Sequence, residues 1–131
     1  MSGESKEPPW DIQARTLDYA VRAVRLYQVL QESRDGAAWV IGKQFLRSAT
    51  SIGANVAEAQ SGESPADFIH KYSIAQKEAR ESDYWLTLMD ASELLPRTRL
   101  APIRKETNEI TAIITAIIVS KKKSMKNPPR E

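Results

Sequence analysis

Residues 64–96 read SPADFIHKYSIAQKEARESDYWLTLMDASELLP, and this stretch decides the fold class. Ser64 puts a hydroxyl where a helix needs an N-cap. Pro65 sits at the first helical position, and Asp67 adds a carboxylate near the positive end of the helix dipole. From there Phe68, Tyr72, Ala75, Ala79, Ser82, Leu86 and Met89 recur at spacings of three and four until Leu95-Pro96 stops the run. The pattern predicts a helix over 65–95, ~45 Å long at 1.5 Å rise per residue.

Upstream, Val40, Ile41, Phe45, Ala49, Ile52 and Val56 predict a second helix over 37–60, which Ser61-Gly62 ends with Gly just past the last turn. Gly42 and Gly53 lie inside that pattern and cost ~1 kcal/mol each relative to Ala, so their use is close approach of a neighbouring helix. Further upstream, Asp11 reads as an N-cap. Leu17, Val21, Val24 and Leu30 then form one face of a helix over 11–31, broken by Ser33-Arg34-Asp35-Gly36. Downstream, Ile103, Ile110, Ile113, Ile114, Ile117 and Ile118 give a fourth helix over 100–122, with Pro102 in its first turn or outside it. Ile-rich sequence also suits a strand, but the spacing and the lack of any alternating partner decide for helix. The ends, 1–9 and 124–131, read as loose. Four amphipathic helices with short connections predict a single domain over 1–131: an all-α, antiparallel, up-down-up-down four-helix bundle.

Composition narrows the function classes. The 131 residues are 41% hydrophobic and 27% charged, with 19 basic against 17 acidic side chains, which excludes wholesale disorder and fits one core. The absence of Cys removes disulfides, thiolate metal sites and a Cys nucleophile, in keeping with a reducing cytoplasm. A lone His, His70, excludes a multi-His metal centre. There is no Gly-rich phosphate loop, nucleophile elbow or HExxH, so no cofactor is expected. The longest apolar run, Ile113 to Val119, is broken by Thr115 and falls far short of the ~20 residues that span a bilayer. Met1 to Pro9 has no apolar core behind a basic start, so no export signal is read there. The expected location is the cytoplasm, away from membranes.

Charge is distributed unevenly. Residues 63–96 carry 3 basic and 7 acidic side chains, whereas 97–131 carry 9 basic and 3 acidic. Such polarity can steer an acidic partner toward the C-terminal end; equally, Lys121, Lys122 and Lys123 complement a helix C-terminus.

A polar edge stands out on the second helix, where Arg47, Ser51, Asn55 and Glu58 fall at i, i+4, i+8 and i+11. On the third, Glu78, Glu81 and Trp85 make a similar edge. If the two helices fold back at Ser61-Gly62, Arg47 lies about as far from the turn as Glu78. We therefore expect Arg47 to pair with Glu78 or Glu81 and set the register of the hairpin, within a polar network inside the bundle. Trp39, Tyr84 and Trp85 are large. Since Tyr84 and Trp85 are adjacent, one can be core while the other is exposed or at a subunit contact.

The motif Arg47-Ser48-Ala49-x-Ser51-Ile52-x-x-Asn55-Val56-Ala57-Glu58, followed by Phe68 and Ile74-Ala75-x-Lys77-Glu78-Ala79-Arg80-Glu81-Ser82-x-Tyr84-Trp85-Leu86, resembles a family of four-helix bundle proteins. Its members are called intervening-sequence proteins of the 23S ribosomal RNA gene, or ribosomal-protein-like bundle proteins. The resemblance is densest over about forty residues, and the flanking helices extend it loosely to the whole chain. Family members usually have Gly after the motif's Glu, where this chain has Ala59. The resemblance implies a bacterial, cytosolic bundle that forms a homo-oligomer, typically a pentamer. Some relatives are accessory proteins that bind a reverse transcriptase and nucleic acid in diversity-generating retroelements. The resemblance brings no catalytic residues.

Three functional readings follow. The first is a non-enzymatic homo-oligomeric scaffold or interaction protein, for which the apolar residues beyond one seam speak, namely Leu26, Tyr27 and Val29 on the first helix and the paired Ile residues on the fourth. The second is a nucleic-acid-binding accessory protein in which Arg97, Arg99, Arg104, Lys105, Lys121, Lys122, Lys123 and Lys126 contact phosphates. The third is a carboxylate-based bundle enzyme built on Glu58, Glu78 and Glu81, which needs convergent carboxyls with raised pKa.

Overall fold

Three helices begin at a side chain that accepts from a free N–H of the first turn. Asp11 accepts from the Ala14 amide at 3.3 Å, Asp35 from Ala37 at 2.9 Å and Ser64 from Asp67 at 3.1 Å. In the computed structural model, which describes residues 11–62 and 64–126, these caps open α1 (Ile12–Gln31), α2 (Gly36–Ala59) and α3 (Pro65–Ala91). Helix α4 (Arg97–Lys126) follows Pro96, whose carbonyl accepts from the Arg99 and Leu100 amides. The described residues contain these four helices and no strand. The expected loose end 1–9 lies outside the described residues, as do residues 127–131.

Several boundaries differ from the sequence reading, each for a local reason. Helix α3 stops at Ala91 rather than 95. The Glu93 amide donates to Asp90 O and the Leu94 amide to Met89 O, a paired closure that places Glu93 in the left-handed region at φ 59°. Gly62 was expected to close α2 in that way, but no Gly among the described residues has positive φ. Instead, the Gln60, Ser61 and Gly62 amides reach back three residues, and a Cβ on Gly62 would sit 3.1 Å from Ala59 O and 3.2 Å from an Asp67 carboxylate oxygen. Gly62 serves packing there, not a left-handed turn.

Helix α4 starts at Arg97, so Pro102 lies in its interior rather than in the first turn or outside. The buried stripe of Leu100, Ile103, Thr107, Ile110, Ile114 and Ile118 runs straight across it, and that packing outweighs the missing backbone bond. At the other end, Ser124 to Lys126 are helical, not loose, with Lys123 and Lys126 beside the negative end of the dipole.

The largest correction concerns α1. Its buried residues are Ile12, Thr16, Tyr19, Ala23, Leu26 and Leu30. Leu17, Val21 and Val24, expected in the core, are 67%, 40% and 40% exposed. Both faces repeat at threes and fours, so periodicity alone cannot choose between them. The chosen face carries Thr, Tyr and Ala because α2 approaches closely. A Cβ on Gly42 would lie 2.9 Å from Leu30, and one on Gly53 would lie 3.3 Å from the Thr16 carbonyl oxygen. In α2, Phe45, Ala49, Ile52 and Val56 are buried as expected, while Val40 is exposed.

Each helix packs on its chain neighbours, α1 also packs on α4, and α1/α3 and α2/α4 lie on the diagonals. Residue numbers rise on one helix as they fall on its partner. Gly53 meets Thr16 and Gly42 meets Leu30; Glu58 meets Lys71 and Arg47 meets Glu78; Gln76 meets Thr115 and Thr87 meets Arg104. Neighbours are therefore antiparallel in an all-α four-helix bundle.

One layer of the core is polar, and each helix contributes one residue to it. Tyr19 Oη lies 2.6 Å from Thr107 Oγ1 and also interacts with Ser82, whose hydroxyl is 2.9 Å from Ser48. The Thr107, Ser82 and Ser48 hydroxyls each also lie within hydrogen-bond distance of a backbone carbonyl of their own helix. Every hydroxyl in this buried layer is thus satisfied.

Candidate functional site

The polar edge expected between α2 and α3 divides into separate pieces. Arg47 Nη1 donates to Glu78 at 3.3 Å, and Arg47 Nη2 donates to Glu81, which also accepts from Trp85 Nε1 at 3.0 Å. The pair lies at the rim, with the Arg47 side chain 49% exposed, so it is not an internal network. Ser51 donates to Arg47 O and Asn55 to Ser51 O, both within α2. Glu58 pairs with Lys71 at 3.2 Å, near the turn. Of the six residues, only Arg47, Glu78 and Glu81 come together.

This geometry bears on the carboxylate-enzyme reading. The hydrogen bond from Arg47, and then the one from Trp85, holds the Glu81 carboxyl below its ordinary value, whereas an acid or base catalyst there needs a raised one. Glu58 sits apart from Glu78 and Glu81, paired with Lys71. Among the described residues no group of three His, Asp or Glu side chains is placed to hold a metal ion.

The basic residues proposed for nucleic-acid contact do not form one patch. Arg97 and Arg104 share Asp90 on the α3/α4 side, at 3.1 and 3.0 Å, and Arg104 also donates to Thr87. Lys121 lies over the Phe68 ring, 5.0 Å from its centroid. Lys122, Lys123 and Lys126 are exposed near the end of α4, ~25 Å or more along the helix from Arg104. Lys105 is exposed. Arg99 alone among them faces α1, where it shares a groove with Arg22 and Arg25. The sequence reading missed those two. Their signal was the i, i+3 spacing on α1, hidden once the wrong face of that helix was taken as core.

Two further surfaces are apolar. On the α1/α2 side, an open groove of about 530 Å³ is lined by Ala14, Leu17, Ala20, Gly53, Ala54 and Ala57, and Val21 and Val24 extend it along α1. On the α3/α4 side, Ile69, Val119 and Met125 line a groove edged by Lys122, Lys123 and Lys126. Because α1 and α3 are diagonal, as are α2 and α4, these two sides lie opposite one another on the bundle. Tyr84 is exposed and Trp85 half-buried, the division expected for adjacent helical aromatics. Among the described residues, no helix is long and apolar enough to cross a membrane.

The profile of the 23S rRNA-intervening sequence proteins matches residues 11–116. Among solved structures, the chain is 42% identical to a protein of unknown function from the S23 ribosomal protein family of Bacteroides thetaiotaomicron VPI-5482. The alignment covers 82% of this chain and 97% of that one, with a TM-score of 0.77. No curated protein matches the chain.

Proposed function

Because the chain belongs to the 23S rRNA-intervening sequence protein family, we propose that it is a non-catalytic helical scaffold that assembles with copies of itself. The observation that carries this reading is the exposed α1 stripe of Leu17, Val21 and Val24 beside the small-residue groove of α1 and α2. The bundle core is complete without these residues. A contiguous apolar surface on a folded chain is an interface in search of its other half.

A second copy supplies that half. The α3/α4 side offers Ile69, Val119 and Met125 on the face opposite the α1/α2 groove, and both surfaces lie toward the same end of the bundle. One side of each copy then meets the other side of the next, a heterologous contact that closes into a ring when the rotation per copy divides the circle. The family resemblance makes five the expected number. Lys122, Lys123 and Lys126 border the contact, their apolar stems adding to the buried surface while their charges stay wet.

Light scattering on the full chain eluting from a sizing column tests this. The expected mass is about five times that of one chain. Leu17→Glu combined with Val21→Glu is expected to reduce it to one chain while the helical circular dichroism persists, because neither side chain belongs to the core. A wild-type mass equal to one chain overturns the reading.

A further inference from the structure

The two ends of the α1/α4 side treat arginine differently. Low on that side, Arg15 is answered by two carboxylates, Glu106 at 2.6 Å and Glu109 at 3.0 Å. Two turns further along α1, Arg22 and Arg25 are answered by Arg99 of α4, a third cation. None of the three makes an ion pair or a side-chain hydrogen bond among the described residues. Asp18, one turn before Arg22 on the same helix, does not pair with it either. Among the described residues that line the groove, only Glu32, exposed at the rim, brings negative charge. Three guanidiniums and one carboxylate leave a local charge of +2.

We infer that this groove binds a phosphate dianion, either free inorganic phosphate or the phosphomonoester of a nucleotide. The inference is independent of self-association. A phosphate monoester carries close to two negative charges at neutral pH and three acceptor oxygens, which matches the local charge and the three forks in number. Guanidinium is weakly hydrated and planar, so it gives up little water and meets a phosphate edge with two parallel N–H bonds. Between like charges facing each other across a groove, an anion replaces repulsion with attraction on both walls. On α4, Arg97 and Arg104 share Asp90, and Lys121, Lys122, Lys123 and Lys126 lie at the far end of the helix. The charge is thus a knot around one point, which suits a single dianion better than a long phosphodiester track. Leu26 and Ile103 floor the groove with apolar surface.

Calorimetric titration of the full chain at low ionic strength, with inorganic phosphate and separately with adenosine monophosphate, tests the site. Saturable binding is expected. Each of Arg22→Gln, Arg25→Gln and Arg99→Gln is expected to weaken it about tenfold, the size of one lost charged hydrogen bond. Arg97→Gln, on the other side of α4, is expected to leave affinity unchanged. Tighter binding of the nucleotide assigns the groove to a nucleotide resting its base or ribose on Leu26 and Ile103, and equal affinity assigns it to free phosphate. Absence of binding by either probe overturns the inference. So does wild-type affinity in the triple glutamine variant. All three side chains lie outside the core, so circular dichroism of the variants should match the wild type.

Discussion

Tyr19 shows most clearly how one residue ties chemistry to fold. It is fully buried, and burial pushes its phenol well above the ordinary value of 10.0, with hydrogen bonds to Thr107 and Ser82 pulling the other way. The unfolded chain releases this proton once pH passes about 10, while the folded chain retains it. The unfolded state then holds fewer protons than the native one, so stability is intact at neutral pH and is lost as pH climbs. Above about pH 10, the wild-type unfolding midpoint is expected to fall more steeply than that of Tyr19→Phe; parallel slopes would contradict this. At neutral pH the substitution is expected to cost only about 1 kcal/mol, because Thr107 and Ser82 keep their bonds to Ile103 O and Glu78 O. No feature of the isolated residues Tyr19, Ser48, Ser82 and Thr107 marks them as one layer. The Arg47 pairing with α3 was readable, because equal distance from a turn is arithmetic on the sequence. That it lies at the rim was not.

Among the elements, α3 was the most legible. Its cap at Ser64 and its stripe from Tyr72 to Met89 match the buried residues one for one. A cap chemistry and a period that agree leave little choice. Its end was not legible, because Glu93 occupies a backbone conformation normally left to Gly. Glu93→Gly is accordingly expected to stabilise the protein by about 1 kcal/mol, read as a higher denaturant midpoint at unchanged slope. Helix α4 carries the opposite case. Pro102 has no N–H to give to Thr98 O, and tertiary packing of Leu100 and Ile103 holds the helix together around it. Pro102→Ala is expected to raise stability by about 1–3 kcal/mol, since it restores a donor and removes a ring clash. No gain, or a loss, in the same denaturant titration would mean that the helix bends there for a packing reason that alanine cannot serve.

For the whole molecule, the consequence of the α1 reversal is an apolar stripe with no partner among the described residues. If copies associate through it, folding and association are linked by mass action, and the unfolding temperature must rise with protein concentration. Scanning calorimetry over a wide concentration range is expected to show that rise for the wild type and a flat response for Leu17→Glu with Val21→Glu. A flat wild-type response would remove the interface. The basic residues of α4 also change meaning at this scale: two are spent on Asp90, one on Phe68, and one joins α1 in the groove with Arg22 and Arg25.

From sequence alone came the helices, their number, most of their caps and the bundle they form, because each is written in spacing along the chain and in the local chemistry of Ser64, Asp11 or Pro65. Only the tertiary structure decided which of two equally periodic faces of α1 turns inward, that four scattered hydroxyls meet in the core, and that three arginines from two helices converge. Those outcomes depend on how closely α1 and α2 approach at Gly42 and Gly53. A helix period describes one cylinder, and it does not contain the rotation at which two cylinders come to rest.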